Sequence, residues 1–272
     1  MLFFTIFPSA TGKTFDRKWC MSSTAFFHFH GSLNDFLRPA QKADTIAYSF
    51  KDLPAIKDAI EAIGVPHVEV DVILVNNQPV HFDYPLQAAS EVQVYPFSND
   101  YHWPPGYALI NHDAVEKKFV VDVHLGSLAR TLRMLGFDTS YQSDYNDATI
   151  VDLALAEQRI VLTRDIGLLK HKVIRHGYWL RSQLVEAQVA EVVRYYQLEA
   201  LFQPFERCLA CNGTIVPVEK DKVLNQLPPQ TILYYNAFFQ CLSCGRVYWK
   251  GSHYQHMLQL LERIRRGSAG AS

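Results

Sequence analysis

The sequence predicts an α+β β-grasp N-terminal domain followed by an α/β domain with a parallel sheet and a C-terminal zinc ribbon. Three observations support this prediction: strands and a helix in β-grasp order in residues 24–98, a regular alternation of strands and helices from Lys117 onward, and two CxxC pairs near the C-terminal end. The chain has 272 residues, a length that suits about two domains with separate cores.

The first domain is predicted in residues 24–98. Its strands show alternating apolar residues, and its helix, DLPAIKDAIEAIG, is expected to begin at an Asp52 cap and to end at Gly64. Two strands, a helix and further strands follow the order of a ubiquitin-like β-grasp. Residues 1–23 are expected to be a disordered segment, and residues 99–116, which contain PPG, are expected to be a linker.

The second domain is predicted in residues 117–204, where strands and helices alternate. The predicted strands are, in order, FVVDV, the short DTSYQ, RIVLT and YWLR, and the helices between them have one apolar face. Such repeats fold into a parallel sheet with right-handed crossovers. The third strand ends in Thr163, Arg164 and Asp165, so a buried strand presents a hydroxyl, a guanidinium and a carboxylate together.

Four carboxylates follow strands of this predicted sheet. Asp122 ends the first strand, Asp144 and Asp147 follow the second, and Asp165 ends the third. Because functional groups gather beyond the carboxyl ends of parallel strands, we expect these side chains to converge. A cluster of carboxylates repels itself unless a hard cation such as Mg²⁺ or Mn²⁺ neutralises it. Such ions activate water for phosphodiester hydrolysis, so these residues are the candidate catalytic acids.

Structural explanations compete with this interpretation. Asp147 and Asp165 are well placed to cap the helices that follow them, and Asp144 has the sequence position of a solvated loop residue. Asp122 interrupts an apolar strand and is harder to explain in this way, although Arg164 or Arg130 could form an ion pair with it.

Basic residues near the predicted acids, and others in the C-terminal region, are candidates for binding substrate phosphates. An arginine offers a planar fork and a lysine a point charge, and both suit phosphate oxygens. The alternative for Lys170 is a solvated helix face. The predicted substrate-binding residues are Arg164, Lys170, Arg130, Arg246 and Lys250.

The four cysteines Cys208, Cys211, Cys241 and Cys244 form two CxxC pairs, the strongest short motif in the chain. Their spacing suits one tetrahedral Zn²⁺ in a zinc ribbon that, together with a C-terminal helix, covers residues 205–261; all four ligands are thiolates and the metal is structural. Disulfides are the alternative, and a cytoplasmic protein disfavours them. The aromatic residues nearby could stack nucleic-acid bases or fill the small core of the ribbon: Tyr234, Tyr235, Phe238, Phe239, Tyr248 and Trp249.

Charge is divided unevenly along the chain. Residues up to Glu116 carry 7 Lys and Arg against 13 Asp and Glu, a balance of −6, and the remainder carries 19 against 14, a balance of +5. A basic C-terminal half favours an anionic partner. The sequence contains no stretch of the roughly 20 apolar residues that a membrane span needs, and we predict a cytoplasmic protein without membrane partners. Residues 262–272 are expected to be a tail.

Several of these stretches resemble a known family. VVDVHLGSLARTLRMLGFDT, DYNDATIVDLALAEQRIVLTRD and CGRVYWKGSHYQHM, together with the CxxC pairs, are similar to the Mut-seven C-terminal RNase family. The resemblance covers about residues 117–261 and implies a PIN-like nuclease domain with a zinc ribbon, which cleaves RNA with acids that bind a divalent metal. The residues that match are Asp122, Asp147 and Asp165, with Asp144 and Arg164 beside them.

The N-terminal domain resembles the ubiquitin-like domain, akin to sulfur carriers, that precedes this family. Sulfur carriers end in a free Gly-Gly, whereas VYPFSNDYHWPPG continues without one. This difference disfavours sulfur transfer and favours a docking role for a protein partner. The sequence therefore predicts a metal-dependent ribonuclease with Zn²⁺ as a structural metal and Mg²⁺ or Mn²⁺ as the catalytic ion. The alternative is a non-catalytic RNA-binding adaptor.

Overall fold

The computed structural model describes residues 22–269, apart from Ala43 and Asn99. The predicted disordered segment therefore lies, up to Met21, outside the described residues. No helix among the described residues has the length and apolar character needed to cross a membrane.

The N-terminal domain is a ubiquitin-like β-grasp, as predicted. Its five-stranded sheet has the order β2-β1-β5-β3-β4, in which β1 and β5 run parallel and every other neighbouring pair runs antiparallel. One helix, α1, crosses the sheet and buries Ile56, Ala59 and Ile60. The elements are β1 Ser23–Phe29, β2 Ile46–Phe50, α1 Ile56–Ile63, β3 Val70–Val75, β4 Gln78–Pro79 and β5 Glu91–Pro96.

The ends of α1 agree only in part with the sequence prediction. Gly64 ends the helix with φ at 140°, a conformation that glycine adopts without a steric cost, and its N–H bonds the Ile60 carbonyl. The predicted Asp52 cap is wrong, because Asp52 lies in a left-handed turn before the helix, with φ at 61°. The first helical N–H, that of Ile56, instead bonds the backbone carbonyl of Tyr84 at 2.8 Å.

The segment predicted as a linker packs against the β-grasp domain. Trp103 lies 4.8 Å from Tyr95 between ring centroids, and the Leu109 N–H bonds the Asp71 carbonyl at 2.7 Å. Described residues of this segment thus contact the β-grasp domain before the second domain begins.

The second domain contains a four-stranded parallel sheet of order β7-β6-β8-β9. Helices α2 and α5 pack on one face of this sheet, and α3 and α4 pack on the other. Each face of the sheet has its own apolar cluster. This architecture confirms the predicted α/β parallel-sheet domain. The elements are β6 Phe119–Val121, α2 Gly126–Met134, β7 Thr139–Ser140, α3 Asp147–Glu157, β8 Ile160–Thr163, α4 Ile166–Leu169, β9 Gly177–Trp179 and α5 Val185–Tyr195.

The C-terminal ribbon is a three-stranded antiparallel sheet of order β10-β11-β12. The predicted tail from residue 262 is wrong over its first part, because helix α7 continues to Ala269 and buries Leu261 and Ile264 in the core of the parallel-sheet domain. Burial of these two apolar side chains attaches the helix to that core. The elements are β10 Ile215–Val218, α6 Pro229–Tyr234, β11 Phe238–Cys241, β12 Val247–Trp249 and α7 Ser252–Ala269.

Both edges of the parallel sheet are covered by the flanking domains. On edge strand β9, the Trp179 N–H donates to the Glu69 carboxylate of the β-grasp domain at 2.6 Å. On edge strand β7, the Thr139 N–H donates to the Asn212 side-chain carbonyl of the ribbon at 3.0 Å. An uncovered edge strand presents unpaired backbone groups that invite pairing with another chain. Side chains from the two neighbouring domains satisfy such groups here.

Candidate active site and zinc centre

Asp122 and Asp165 are connected through the hydroxyl of Thr163. The Thr163 Oγ1 donates to Asp122 Oδ2 at 2.7 Å and accepts the backbone N–H of Asp165 at 2.9 Å. Thr163 is fully buried, Asp122 is half-buried and Asp165 is exposed. A buried hydroxyl that both donates and accepts is held in one orientation. It therefore fixes the Asp122 carboxylate relative to the chain at Asp165.

The parallel register explains this arrangement. Val121 of β6 pairs with Leu162 of β8, and the Asp122 N–H continues the ladder by bonding the Leu162 carbonyl at 3.1 Å. Asp122 and Thr163 are thus neighbours at the carboxyl edge of the sheet. The expectation that the ends of β6 and β8 meet there is correct for these two residues.

Asp165 also begins helix α4. Its Oδ1 accepts the Gly167 N–H at 2.7 Å, so the structural role as an N-cap, weighed from the sequence, is present. The bond occupies one lone pair of one oxygen and leaves acceptor capacity on the carboxylate. Capping and ligand binding are therefore compatible at this residue.

Asp144 and Asp147 are exposed, Asp144 in the loop that follows β7 and Asp147 at the start of α3. The predicted Asp147 cap is wrong: Asn146 caps α3, because its Oδ1 accepts the Thr149 N–H at 2.9 Å, and Asp147 is the first helical residue. Among the described residues, the carboxylates of Asp122, Asp147 and Asp165 do not all lie within 4.8 Å of one another. Opposite oxygen ligands of Mg²⁺ are only about 4.2 Å apart. The structure therefore does not bring all the predicted acids into one inner coordination shell.

The two arginines predicted near the acids are exposed. Within the described part of the chain, neither Arg164 nor Arg130 forms an ion pair with Asp122, so the proposed structural pairing is not found. The backbone of Arg164 is fixed, because its carbonyl accepts the Trp179 indole N–H at 3.1 Å. Its guanidinium is consequently presented to solvent from an anchored position beside Asp165.

Lys170 lies in a different environment from the one predicted. Its ammonium donates to the Glu61 backbone carbonyl of the β-grasp domain at 2.8 Å, and burial lowers the pKa of Lys170. The alternative interpretation, that Lys170 lies on a solvated helix face, is also wrong, because the residue is half-buried between two domains. Lys170 therefore belongs to the interface between the two domains and is not a candidate for binding substrate phosphates.

The four predicted zinc ligands come together. The Sγ atoms of Cys208, Cys211, Cys241 and Cys244 all lie within 4.8 Å of one another, with 3.7 Å between Cys208 and Cys244 and 3.4 Å between Cys211 and Cys241. A tetrahedral zinc with Zn–S bonds of about 2.3 Å separates its sulfurs by about 3.8 Å. A disulfide would need an S–S distance of about 2.05 Å. The cysteines therefore fit a closed, structural zinc site, and the disulfide alternative is wrong.

A tyrosine supports this site from β12. The Tyr248 hydroxyl lies 3.0 Å from Cys208 Sγ. Burial raises the pKa of the Cys208 thiol, but hydrogen bonds from Tyr248 and from the Cys211 and Ala210 backbone outweigh burial and lower that pKa to about 6. Zinc binds thiolates, so this environment favours the ligand form of Cys208.

Arg246 and Lys250, the other two predicted substrate-binding residues, are exposed on the ribbon. The Lys250 ammonium lies 5.7 Å from the Tyr254 ring centroid. Both residues are accessible to an anionic ligand.

Models of two known protein families match this chain. The model of the Mut7-C RNAse domain matches residues 117–261, and that of the Mut7-C ubiquitin domain matches residues 22–102. The chain belongs to the Mut7-C RNAse domain family. Comparison with curated proteins and with solved structures gave no match. Membership of the Mut7-C family indicates nuclease activity, and the resemblance inferred from the sequence is confirmed for both domains.

The Mut7-C ribbon is attached to the parallel-sheet domain by Arg133, which the amphipathic pattern of α2 placed off the apolar face. The structure buries Arg133 to 4% exposure. Its guanidinium donates to the carbonyls of Leu209 and Ala210 between the first pair of cysteines, and to those of Thr139 and Tyr141 at β7. A single cation therefore joins the zinc knuckle to the sheet edge.

A second set of polar contacts in the Mut7-C domain surrounds Asp138. Its carboxylate accepts from Arg159 Nη1 at 2.6 Å and from Asn212 Nδ2 at 2.8 Å. Burial raises the pKa of Asp138, but these hydrogen bonds outweigh burial and lower it. No motif in the sequence marks Arg133, Asp138 or Asn212. Their residue types are common, and only the tertiary arrangement brings them together.

Proposed function

We propose that this protein is a metal-dependent ribonuclease that hydrolyses RNA phosphodiester bonds at the carboxyl edge of its parallel sheet. The observation that carries the proposal is the Asp122–Thr163–Asp165 hydrogen-bond chain at the ends of β6 and β8. Membership of the Mut7-C RNAse domain family supports the reaction class.

Asp122 and Asp165 are the residues that would hold the divalent cation. Mg²⁺ is commonly bound by one or two carboxylates while water and substrate phosphates complete its shell, and this donor set fits the two strand-end acids. When bound, Mg²⁺ or Mn²⁺ supplies activation of water and charge stabilisation at the leaving oxygen. Asp147 and Asp144, which are exposed, remain in the proposal as acids that would add negative charge near this ion.

Other residues position the acids and the substrate. Thr163 acts as a positioning residue, because its hydroxyl holds the Asp122 carboxylate in one orientation. The exposed Arg164 guanidinium is suited to a bidentate contact with phosphate oxygens. We propose that Arg130, Arg246 and Lys250 attract more distant phosphates of the same strand, an effect that weakens as salt rises.

Cleavage of labelled single-stranded and structured RNA tests this proposal. We expect activity with Mg²⁺ or Mn²⁺, none with EDTA, and at least a roughly 100-fold loss in kcat for Asp122→Asn and for Asp165→Asn. Asp152→Asn is the matched control, since Asp152 is an exposed acid on α3 away from the strand ends. Full activity in the Asp122→Asn and Asp165→Asn double variant would reject the mechanism.

The alternative function is a non-catalytic RNA-binding adaptor in which the β-grasp domain recruits a protein partner. The separation of the acids favours it, since Asp122, Asp147 and Asp165 do not gather within 4.8 Å. Salt-dependent RNA binding without cleavage under any divalent ion would support the adaptor. Failure to bind RNA at low salt would contradict both functions.

A further inference from the structure

The two faces of the ribbon sheet have different surroundings. Phe238 points to one face and is 2% exposed in a small core with Val223 and Leu227. Phe239, the next residue along β11, points to the opposite face and remains half-exposed. The aromatic residues near the cysteines thus divide between a core and an accessible surface, and the core interpretation covers only part of them.

The accessible face presents a row of apolar side chains across all three strands. Pro217 of β10 pairs with Phe239 of β11, which pairs in turn with Tyr248 of β12. Residues that are paired in this way share one face of a sheet. This row forms one wall of a cavity of about 320 Å³, a volume at the lower end of the roughly 300–1,000 Å³ typical of ligand sites.

The opposite wall of this cavity, which we call the ribbon cleft, comes from α7 and from the chain before the first cysteine. Tyr254 and Met257 of α7 line it together with Phe205. The rings of Phe205 and Tyr254 lie 4.8 Å apart between centroids and are tilted by 47°. Aromatic side chains therefore line the ribbon cleft on both walls.

The rim of the ribbon cleft is mainly basic. Lys250 and Arg207 line it with one acid, Glu206. Arg207 also lies 3.8 Å from Asp138 and is partly neutralised, whereas the Lys250 ammonium remains exposed above Tyr254. Residues 204–269 carry eight Lys and Arg against four Asp and Glu, a balance of +4. This charge favours an anionic ligand over an apolar peptide.

We propose that the ribbon cleft binds an unpaired base of single-stranded RNA, with the base against Phe239 and Tyr254 and a neighbouring phosphate at Lys250. Aromatic side chains that stack bases beside a positive groove are a general means of binding single strands. A paired base is unavailable to such a slot, so the site selects unpaired RNA. The proposal rests on the proposed function only in taking RNA as the ligand.

RNA binding by the full-length protein tests this proposal. The probe is a short fluorescein-labelled oligouridylate, its affinity is measured by fluorescence anisotropy without added divalent ions, and all proteins carry Asp165→Asn to prevent cleavage. Stacking contributes about 1–3 kcal/mol per base, so we expect Phe239→Ala and Tyr254→Ala each to weaken binding about 5- to 100-fold. Tyr234→Ala is the matched control, because Tyr234 is an exposed aromatic residue on α6, 74% exposed, outside the cleft.

An abasic probe distinguishes base binding from a folding defect. We expect removal of one base to weaken binding to the parent protein, and to have a smaller effect on Tyr254→Ala, because the same contact is already lost. Equal zinc content in all proteins would show that the ribbon is intact. Unchanged RNA affinity in both cleft variants would overturn the proposal.

The outcomes separate this site from the proposed catalytic reaction. Cleavage by the wild-type chain with unchanged affinity in the cleft variants would support the ribonuclease function and contradict the base site. Weakened RNA affinity in these variants, with no cleavage by the wild-type chain under any divalent ion, would support the base site and contradict the catalytic function.

Discussion

The carboxylate of Glu69 accepts the backbone N–H of Trp179 at 2.6 Å and pairs with Arg181 at 3.4 Å, although Glu69 is only 1% exposed. Burial raises the pKa of Glu69, because the domain interface removes water from the carboxylate. The contact joins the β-grasp domain to the edge strand of the parallel sheet. It is one of several polar contacts between these two domains, beside those of Lys170 with Glu61 and of Arg181 with Asp35.

We expect Glu69→Ala to destabilise the protein by about 1–3 kcal/mol, because it leaves the Trp179 N–H without an acceptor, whereas Arg181 keeps its shorter ion pair with Asp35 at 2.8 Å. Chemical denaturation monitored by tryptophan fluorescence measures this loss. Glu69→Gln, which keeps an acceptor, should lose less, and Glu91→Ala on the exposed side of β5 is the control. A Glu69→Ala protein as stable as the wild type would contradict the importance of this contact.

Thr163→Val tests the positioning of Asp122. Valine keeps the shape of the buried side chain and removes the hydroxyl, so the Asp122 carboxylate is no longer fixed. We expect kcat for RNA cleavage to fall about 10- to 100-fold with little change in KM, because a small misplacement of a reacting group is costly. Thr163→Ser, which retains the hydroxyl, should restore most of the rate. Equal rates in the valine and serine variants would show that the hydrogen bond has no role.

Removal of zinc should unfold the ribbon before the rest of the chain. The ribbon core is small, centred on Val223, Leu227 and Phe238, and such cores depend on their metal. We expect a chelator, or Cys244→Ser, to increase hydrogen exchange in β11. We expect the same increase in β7, because Arg133 connects this strand to the carbonyls between the first pair of cysteines. Cys20→Ser is the control, because it leaves all four ligands intact. Unchanged exchange in β11 would contradict a structural zinc.

Asp138 should make stability depend on acid pH. Its pKa is lowered in the folded state, so its contribution is complete above its unfolded pKa of about 3.9 and is lost as the pH falls through the lower folded value. We expect Asp138→Asn to reduce Tm at neutral pH and to flatten the fall in Tm between about pH 5 and pH 2. Asp221→Asn, at an exposed position, should keep the wild-type profile. A parallel profile for Asp138→Asn would reject this linkage.

Local patterns in the sequence were sufficient to predict the strands and helices and the four cysteines that fit a zinc site. The CxxC spacing identifies all four cysteines because the two ligands of each knuckle are close in sequence. The strand order that brings Asp122 beside Thr163 is a long-range pairing, and the sequence located the carboxyl edge without identifying the hydroxyl that connects the acids. Lys170 could not be assigned correctly, because its partner, Glu61, lies 109 positions earlier.

Helix ends and buried charges were the least predictable features. Asn146 and Asp147 are adjacent residues that both favour helix caps, and only the backbone conformation decides that Asn146 takes the role. Arg133 has the sequence position of an exposed helix residue, yet four backbone carbonyls of the neighbouring segments surround its guanidinium. A pattern based on the helix alone contains no information about these carbonyls.

The covered edge at β9 determines where the chain can be divided. Glu69, which lies in the Mut7-C ubiquitin match, completes the backbone hydrogen bonding of β9, a strand of the Mut7-C RNAse match. A fragment of residues 117–261 would keep Asn212 at β7 and would lose Glu69 at β9, so we expect its exposed β9 edge to promote aggregation. The border between the two family matches is therefore a poor place to divide the protein.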